Sequence, residues 1–238
     1  MVAMALSDRV LYRDGWIVVI DKPAGVPVHA GPGGGPNIAA GRHMLRFGWK
    51  ELPELAHRLD QLTSGCLVLG RHRQALRRLN ALFAAGHVEK VYWAIVSGRP
   101  SSEQGHLDAP IRPRDSDPTQ APNIPGRRME IHPDGQSAHT DFRLLGGFGD
   151  LSWLELRPRT GRTHQLRLHC AHMRCPVVGD PLYGPRPVAG SGSTHLQLHA
   201  RSVKIPLHPD QEPIHVVAPP PKHMLPLLMA CGYQEVSR

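Results

Sequence analysis

The residues that could do chemistry are concentrated in two segments of the chain. The first, residues 56–69, reads Ala-His-Arg-Leu-Asp-Gln-Leu-Thr-Ser-Gly-Cys-Leu-Val-Leu and places one carboxylate, Asp60, between an arginine and a Thr-Ser-Gly turn. A carboxylate in such a position can act as a nucleophile or as a general base. An isolated Asp in this setting is more often a turn cap, so the rest of the chain must decide between these interpretations.

The second segment, residues 159–169, reads Arg-Thr-Gly-Arg-Thr-His-Gln-Leu-Arg-Leu-His. Its arginines form a guanidinium-rich turn and the start of a helix. Such groups can keep a nearby carboxylate ionised and can bind a phosphate, because a guanidinium offers several donors in a fixed fork. Together, the two segments indicate a carboxylate-dependent reaction on a phosphate-bearing substrate.

Both segments resemble motifs of the RluA-type family of RNA pseudouridine synthases, and the resemblance extends over nearly the whole chain. Three departures are Gln61 where an Arg is common, Cys66 in a usual leucine run, and Gly70-Arg71 in place of Ala-Lys. Gln61 is the departure that bears on substrate contacts. The matches occur in family order at residues 21–29, 57–69, 89–98, 162–184, and 196–200 with 205–209.

The resemblance implies an α+β fold, the pseudouridine synthase fold, with a mixed, mostly antiparallel sheet in two halves. Helices flank the sheet, and the two halves surround a central cleft. We expect an N-terminal tail over residues 1–9 and a single catalytic domain over residues 10–238, without an accessory N-terminal RNA-binding domain.

The resemblance also implies the reaction. Pseudouridine formation cuts the glycosidic bond of a uridine, turns the base and rejoins it through its C5 carbon, so it needs no cofactor and no metal. Asp60 is the predicted catalytic carboxylate. Arg167 matches the arginine that pairs with this Asp and would lower its pKa by ~1–3 units. Tyr92 matches the active-site tyrosine, whose ring can stack on uracil and whose hydroxyl can take a proton; by strand pattern alone it would be a core tyrosine.

The predicted RNA-binding residues are Arg58, Arg162, His57 and Thr63. Arg58 precedes Asp60 by two, so both side chains share a face of an extended segment. The resemblance implies that Arg58 fills the space left by a flipped-out nucleotide, which offsets part of the cost of flipping. Arg162 is assigned to a phosphate, although it also competes with Arg167 as the partner of Asp60. Arginines 71, 73 and 77 are further candidates for phosphate contacts.

Two other functional classes are weighed against this one. A non-catalytic RNA-binding protein could keep the same fold, but Asp60, Arg58, Tyr92 and Arg167 are all present. A zinc-dependent nucleotide hydrolase or deaminase would use the imidazoles and thiols of residues 164–175, namely His164, His169, Cys170, His172 and Cys175. Their spacing matches no common zinc signature, and the His-x-Glu and Pro-Cys-x-x-Cys pattern of zinc deaminases is missing from the sequence.

The composition agrees with an RNA partner. The net charge of +8 favours a polyanion, and we expect a structured stem-loop of ribosomal or transfer RNA. The apolar run at residues 16–20 is too short for a membrane span. No signal peptide is predicted, so we expect a cytoplasmic monomer with no membrane association and no obligate protein partner. The four cysteines are expected to be reduced.

Periodicity predicts the elements that hold these residues. We expect strands at residues 10–20, 67–69, 87–97, 138–145 and 151–156, and a helix at residues 72–85 that Gly86 ends. A second helix, capped by Thr163, should carry Leu166, Cys170 and Met173 inward. A short helix should follow the Pro-rich residues 217–226. Residues 30–36 and 100–136 are predicted to be loops.

Overall fold

The computed structural model describes residues 5–31, 35–114, 128–184 and 195–235. The chain divides into two compact units. The first unit comprises Met1–Val91 and His199–Pro221, and the second comprises Tyr92–Leu198 and Lys222–Arg238. The prediction of one catalytic domain over residues 10–238 stays a prediction.

Strands outnumber helices among the described residues. The strands are β1 Val10–Arg13, β2 Ile17–Lys22, β3 Glu54–Leu55, β4 Ser64–Gly70, β5 Glu89–Ser97, β6 Gln104–Asp108, β7 Ile111–Pro113, β8 Met129–Ile131, β9 His139–Phe148, β10 Leu151–Pro158, β11 Leu198–Ile205 and β12 Ile214–Val217. The helices are α1 Ile38–Gly41, α2 Arg73–Ala84, α3 Gln165–His172 and α4 Leu225–Ala230. None of the helices in the described ranges is long and apolar enough to cross a membrane.

The sheet of the first unit is mixed. Strand β2 pairs antiparallel with β1 and β4, and β11 pairs antiparallel with β12. Strand β4 pairs in parallel with β11, through His199 opposite Ser64 and Ala200 opposite Gly65. Residues 10–20, predicted as one strand, form the hairpin β1–β2. The reason is Asp14, whose Oδ1 accepts hydrogen bonds from the backbone N–H of Trp16 and of Ile17, both at 2.7 Å, and so reverses the chain.

Helix α2 confirms the helix that the apolar periodicity predicted at residues 72–85. His72 caps its first turn, since Nδ1 accepts from the backbone N–H of Ala75 at 3.2 Å. Gly86 follows the helix with φ of 71°, a left-handed conformation that glycine adopts without strain. The helix buries Leu79 in the apolar core of this unit. The core members are Ile17, Val19, Cys66, Val68, Leu79, Val88, Val203, Ile205, Leu207, Val216 and Ala218.

The second unit contains an antiparallel sheet. Strand β10 pairs with β5 on one side and with β9 on the other, and β6 pairs with β9. Residues 100–136 were predicted to be loop, and for β6, β7 and β8 this was wrong. Strand β6 alternates exposed and half-buried residues at an outer position of the sheet, and its polar composition hides it from an apolar pattern. Residues 115–127 of this range, and residues 32–34 of the other predicted loop, lie outside the described residues.

The start of helix α3 also differs from the prediction. Thr163 does not cap it; the N-cap is His164, which has a left-handed backbone with φ of 55° and makes no side-chain cap bond. The helix does bury Leu166 and Cys170, while Met173 follows it as the C-cap and is half-buried. With few helices on mixed, mostly antiparallel sheets, the α+β prediction is confirmed.

Candidate active site

Asp60 lies in a tight turn just before β4. Its backbone carbonyl accepts a hydrogen bond from the Thr63 N–H at 3.1 Å, and its side chain is half-buried. Thr63 is only 3% exposed, so the structure gives no support to its predicted contact with RNA. Arg58, two residues before Asp60, is exposed. The turn is therefore buried at Thr63, while Asp60 and Arg58 are at least partly accessible to a substrate.

A buried lysine binds this turn through hydrogen bonds to backbone carbonyls. Lys22, at the end of β2, is fully buried, and its Nζ donates to the carbonyls of Pro23 at 2.9 Å, Val26 at 2.8 Å and Gln61 at 3.0 Å. Three donors meet three acceptors, which is the condition for burying an ammonium group. Lys22 thereby ties the turn at residues 23–26 to the Asp60 turn.

Gln61 completes the same link. Its backbone carbonyl accepts from the Gly25 N–H at 2.9 Å, and its side-chain amide donates to the Gly25 carbonyl at 3.1 Å. The departure from the family motif at this position is thus a contact within the protein that joins the two turns.

Burial and nearby carboxylates have opposite effects on the pKa of Lys22. Burial lowers the pKa of Lys22 to about 7, while the carboxylates of Asp60 and Asp21 oppose that shift. Asp60 is therefore close enough to Lys22 for their charges to interact. We conclude that Lys22 positions the Asp60 turn and that its charge, in the protonated form, interacts with the Asp60 carboxylate.

Replacement of Lys22 with Met is expected to lower the turnover number about 10- to 100-fold, because a small displacement of a catalytic group has an effect of that size. RNA affinity should change little. Single-turnover assays and RNA titrations separate these quantities. Lys204→Met, which removes an exposed lysine near Glu89, is the control and should behave as wild type. A Lys22→Met enzyme with wild-type turnover would show that the turn holds its geometry without the anchor.

The Thr-Ser-Gly motif is explained by the parallel pairing of β4 with β11. Ser64 Oγ and His199 Nδ1 are 2.9 Å apart, and both residues are buried. Gly65 has φ of 105°, and a Cβ there would lie 2.2 Å from the Ala200 carbonyl oxygen. Only glycine permits this approach. The Thr-Ser-Gly motif that follows Asp60 therefore packs directly against the Leu-His-Ala motif at residues 198–200.

His57 is engaged within the protein. Its Nε2 accepts from the Val68 N–H at 3.0 Å, and its ring stacks on Phe83 with centroids 4.6 Å apart. Burial, with a smaller contribution from the charge of Lys90, lowers the pKa of His57 to about 4. The imidazole is neutral at physiological pH, so these contacts indicate a structural role, and the predicted RNA contact of His57 stays a prediction.

Acid should destabilise the protein through His57. Its pKa falls from 6.5 in an unfolded chain to about 4 here, so the unfolded state binds more protons as the pH falls from about 6.5 to about 4. The stability lost over that window is about 2 to 3 kcal/mol. Urea unfolding at pH 7 and pH 4.5 measures it. His57→Gln, which keeps an acceptor for the Val68 N–H, should lose correspondingly less; equal losses in both proteins would contradict this assignment.

Tyr92 belongs to the second unit and is half-buried on β5, opposite Leu156 of β10. The next residue, Trp93, contacts Trp153 and Tyr233 with ring centroids 4.8 and 5.6 Å apart. Successive side chains of a strand point to opposite faces. Tyr92 therefore faces away from this aromatic cluster, which argues against its alternative interpretation as a member of that core.

Arg167 forms a buried bidentate ion pair with Asp180. Its Nε and Nη2 donate to the two carboxylate oxygens, each at 2.7 Å, and the side chains are 3% and 0% exposed. Asp180 Oδ1 also accepts from the N–H groups of Leu182 and Tyr183. The Tyr183 ring lies 5.2 Å from Arg167 Cζ, and its hydroxyl is 3.0 Å from His164 Nδ1. This framework fixes the guanidinium; the pairing of Arg167 with Asp60 stays a prediction.

Arg162 is exposed in the turn before α3. Its backbone N–H donates to Gln165 Oε1 at 2.9 Å and its Nε donates to the Ser137 carbonyl at 3.0 Å. These bonds leave the side chain at the surface, as a phosphate contact requires. Arg73 and Arg77 are also exposed, but Arg71 is only 5% exposed, so its prediction as a surface phosphate contact was wrong.

Two histidines of the alternative zinc site, His164 and His169, have other partners. His169 Nδ1 is 3.0 Å from Thr140 Oγ1, and its Nε2 is 3.1 Å from the Ala109 carbonyl. Burial raises the pKa of the Cys170 and Cys175 thiols, which disfavours the thiolate that binds metal. Within the described residues, no three His, Cys, Asp or Glu side chains are grouped so as to hold a metal ion.

Four residues of these frameworks were missed as functional candidates: Lys22, Asp180, Tyr183 and His199. Each lies in a segment that matched the family, so a signal existed. Lys22 follows the apolar run 16–20, where a buried strand end makes a charge unusual. Asp180 and Tyr183 belong to the stretch 179–184, Gly-Asp-Pro-Leu-Tyr-Gly. Each has at least one partner that lies 13 to 135 residues away, which a short local motif does not reveal.

The fold and these side-chain frameworks define the class of protein. A sequence model described as RNA pseudouridylate synthase matches residues 16–172. The chain belongs to this family, whose members are isomerases that modify RNA.

Several relatives are similar over most of the chain. An uncharacterized RNA pseudouridine synthase of Zymomonas mobilis is 39% identical over 91% of this chain and 95% of its own length. The ribosomal large subunit pseudouridine synthase D of Xanthomonas campestris is 38% identical over 93% of this chain and 69% of its own length. Among solved structures, human RNA pseudouridylate synthase domain containing 4 has a TM-score of 0.77 and 28% identity, over 95% of this chain and 94% of that one.

Proposed function

We propose that this protein isomerises specific uridines of structured ribosomal or transfer RNA, with Asp60 as the catalytic carboxylate. The observation that carries the proposal is the Asp60 turn itself, held by buried Lys22 through the Gln61 carbonyl at 3.0 Å. A carboxylate on an anchored turn can attack or deprotonate the ribose with little loss of orientation. Ribosomal RNA is favoured by relatives named as ribosomal large subunit pseudouridine synthases.

The other residues have supporting roles in this proposal. Tyr92 stacks on the uracil, and its hydroxyl relays the C5 proton in the second half of the reaction, accepting that proton while it passes its own to water. Arg167, oriented by its two 2.7 Å bonds to Asp180, supplies fixed positive charge. Arg58 enters the space left by the flipped nucleotide, and Arg162 binds a phosphate. His57 and Thr63 support the loop that carries Arg58 and Asp60.

We further propose that the protein works as a monomer in the cytoplasm, where its RNA substrates are made, without a membrane or an obligate protein partner. A net charge of +8 is sufficient to attract RNA directly. Light scattering on the purified protein, alone and mixed with RNA, measures the mass of the free and bound species.

The decisive experiment maps pseudouridines in total RNA from a strain that lacks the gene. One or a few positions should lose the modification, and expression of the wild-type gene should restore them. Expression of the Asp60→Asn variant should not restore them. If every pseudouridine persisted in the deletion strain, and the purified protein modified no unmodified ribosomal or transfer RNA transcript, the proposal would be wrong.

A further inference from the structure

An exposed aromatic ring in the first unit lies against a guanidinium group and a histidine ring. Trp49 is 42% exposed and stacks on His72 with ring centroids 6.0 Å apart and planes 15° from parallel. Arg71 Cζ lies 4.6 Å from the same ring, and Arg13 Cζ lies 4.3 Å from the ring of Phe47. We call Arg13, Phe47, Trp49, Arg71 and His72 the Trp49 patch.

The backbone that presents Trp49 is strained. Phe47 and Gly48 have φ of 48° and 85°, and the Trp49 N–H donates to the Arg46 carbonyl at 3.1 Å. A left-handed phenylalanine costs on the order of 1 kcal/mol or more and is retained where its surroundings enforce it.

Arg71 holds the turn at residues 46–49 in this conformation. Its Nη2 donates to the same Arg46 carbonyl at 3.1 Å, and its Nη1 donates to the Asp14 carbonyl at 2.5 Å. The buried arginine therefore holds the turn so that Trp49 projects from the surface.

The charge around the ring is predominantly positive. The side chains of Arg13, Arg46, Lys50 and Arg73 are exposed there or on the adjoining residues, and the first turn of α2 contains no acidic residue. Glu51 is the exposed acid beside them. Asp14 is a second acid nearby, and its carboxylate accepts from two backbone N–H groups and from Tyr12 Oη. A flat ring among cations fits a nucleobase joined to phosphates.

We propose that the Trp49 patch is a second RNA-binding surface, on which a base outside the modified nucleotide packs against the exposed part of Trp49 while its phosphates meet the exposed side chains of Arg13 and Arg46. The proposal rests on the function proposed above and adds a contact remote from the reaction. Arg71 and His72 follow the last residue of β4, whereas Asp60 precedes its first residue. Seven residues of strand span about 20 Å, so the patch contacts RNA that flanks the target.

Fluorescence anisotropy with a labelled 15-nucleotide oligouridylate tests the proposal. Trp49→Ala should weaken binding about 5- to 10-fold, because loss of one base–aromatic stack has at least that effect. Trp49→Phe, which keeps a flat ring, should remain within about twofold of wild type. Phe148→Ala removes an aromatic side chain that is 66% exposed in the second unit, and should bind as wild type.

Arg46→Gln provides a test that leaves the turn intact, because the turn uses only the Arg46 backbone. It should flatten the slope of log K against log[salt] by about 0.7, the value for one phosphate contact on a single strand. Wild-type affinity in Trp49→Ala, equal losses in Trp49→Phe, or an unchanged salt slope in Arg46→Gln would overturn the proposal.

Activity on an unmodified large-subunit ribosomal RNA transcript separates this inference from the proposed function. If Trp49→Ala raises KM and leaves kcat unchanged, both stand. An inactive wild-type enzyme would count against the ribosomal substrate alone, since binding of oligouridylate does not depend on catalysis. Active wild type with unaltered binding by Trp49→Ala would count against the patch alone.

Discussion

Replacement of Asp60 with Asn is expected to lower the rate of pseudouridine formation by at least about 10³-fold, because an amide can serve neither as nucleophile nor as base. Folding should persist. The turn depends on the Asp60 carbonyl, which accepts from Thr63, and Asn is as well suited to a turn as Asp. Single-turnover assays at saturating RNA measure the chemical step, and thermal unfolding confirms that the variant is folded.

Asp21→Asn is a matched control for this substitution. Both Asp21 and Asp60 interact electrostatically with Lys22, so each variant removes one negative charge from the same lysine. Asp21 pairs with Arg9 at 3.4 Å and lies on β2, outside the Asp60 turn. Asp21→Asn should keep its activity within a few fold. If the two variants lost activity equally, the effect would come from the charge of Lys22 rather than from chemistry at Asp60.

Replacement of Arg167 with Met is expected to destabilise the protein by about 3 to 5 kcal/mol, because it leaves the fully buried Asp180 carboxylate without its charged partner. Urea unfolding monitored by circular dichroism measures the change. Activity, assayed well below the unfolding transition, should also fall, since the guanidinium is proposed to supply charge to the reaction.

Two comparisons make this prediction specific. Arg157→Met breaks an exposed pair with Glu155 and should cost less than about 1 kcal/mol. Adding Asp180→Asn to Arg167→Met removes the orphaned charge, while its amide oxygen can still accept from Leu182 and Tyr183. Part of the stability should return in the double variant, whereas activity should not. A fully stable Arg167→Met protein would refute the structural importance of this buried pair.

Regular elements with a strong apolar period were predicted well. Helix α2 and strands β5, β9 and β10 lie close to their expected positions. The reason is that the spacing of apolar residues in each segment marks the face that is buried. The polar strand β6 was not predicted, since pairing with β9 rather than its own composition makes it a strand. Local propensity likewise suggested Thr163 as a helix cap, but the backbone enters α3 through His164 in a left-handed conformation.

The sequence by itself determined the family and the identity of the candidate groups, because motif residues around Asp60 and Arg167 are contiguous and their spacing is visible in one dimension. Only the tertiary structure decided what holds them. Lys22 meets Gln61 across 39 residues, and Ser64 meets His199 across 135 residues. Arg71 looked like a surface arginine but is buried beneath Trp49. Burial and long-range hydrogen bonds arise only when distant segments pack together, so a pattern of neighbouring residues cannot encode them explicitly.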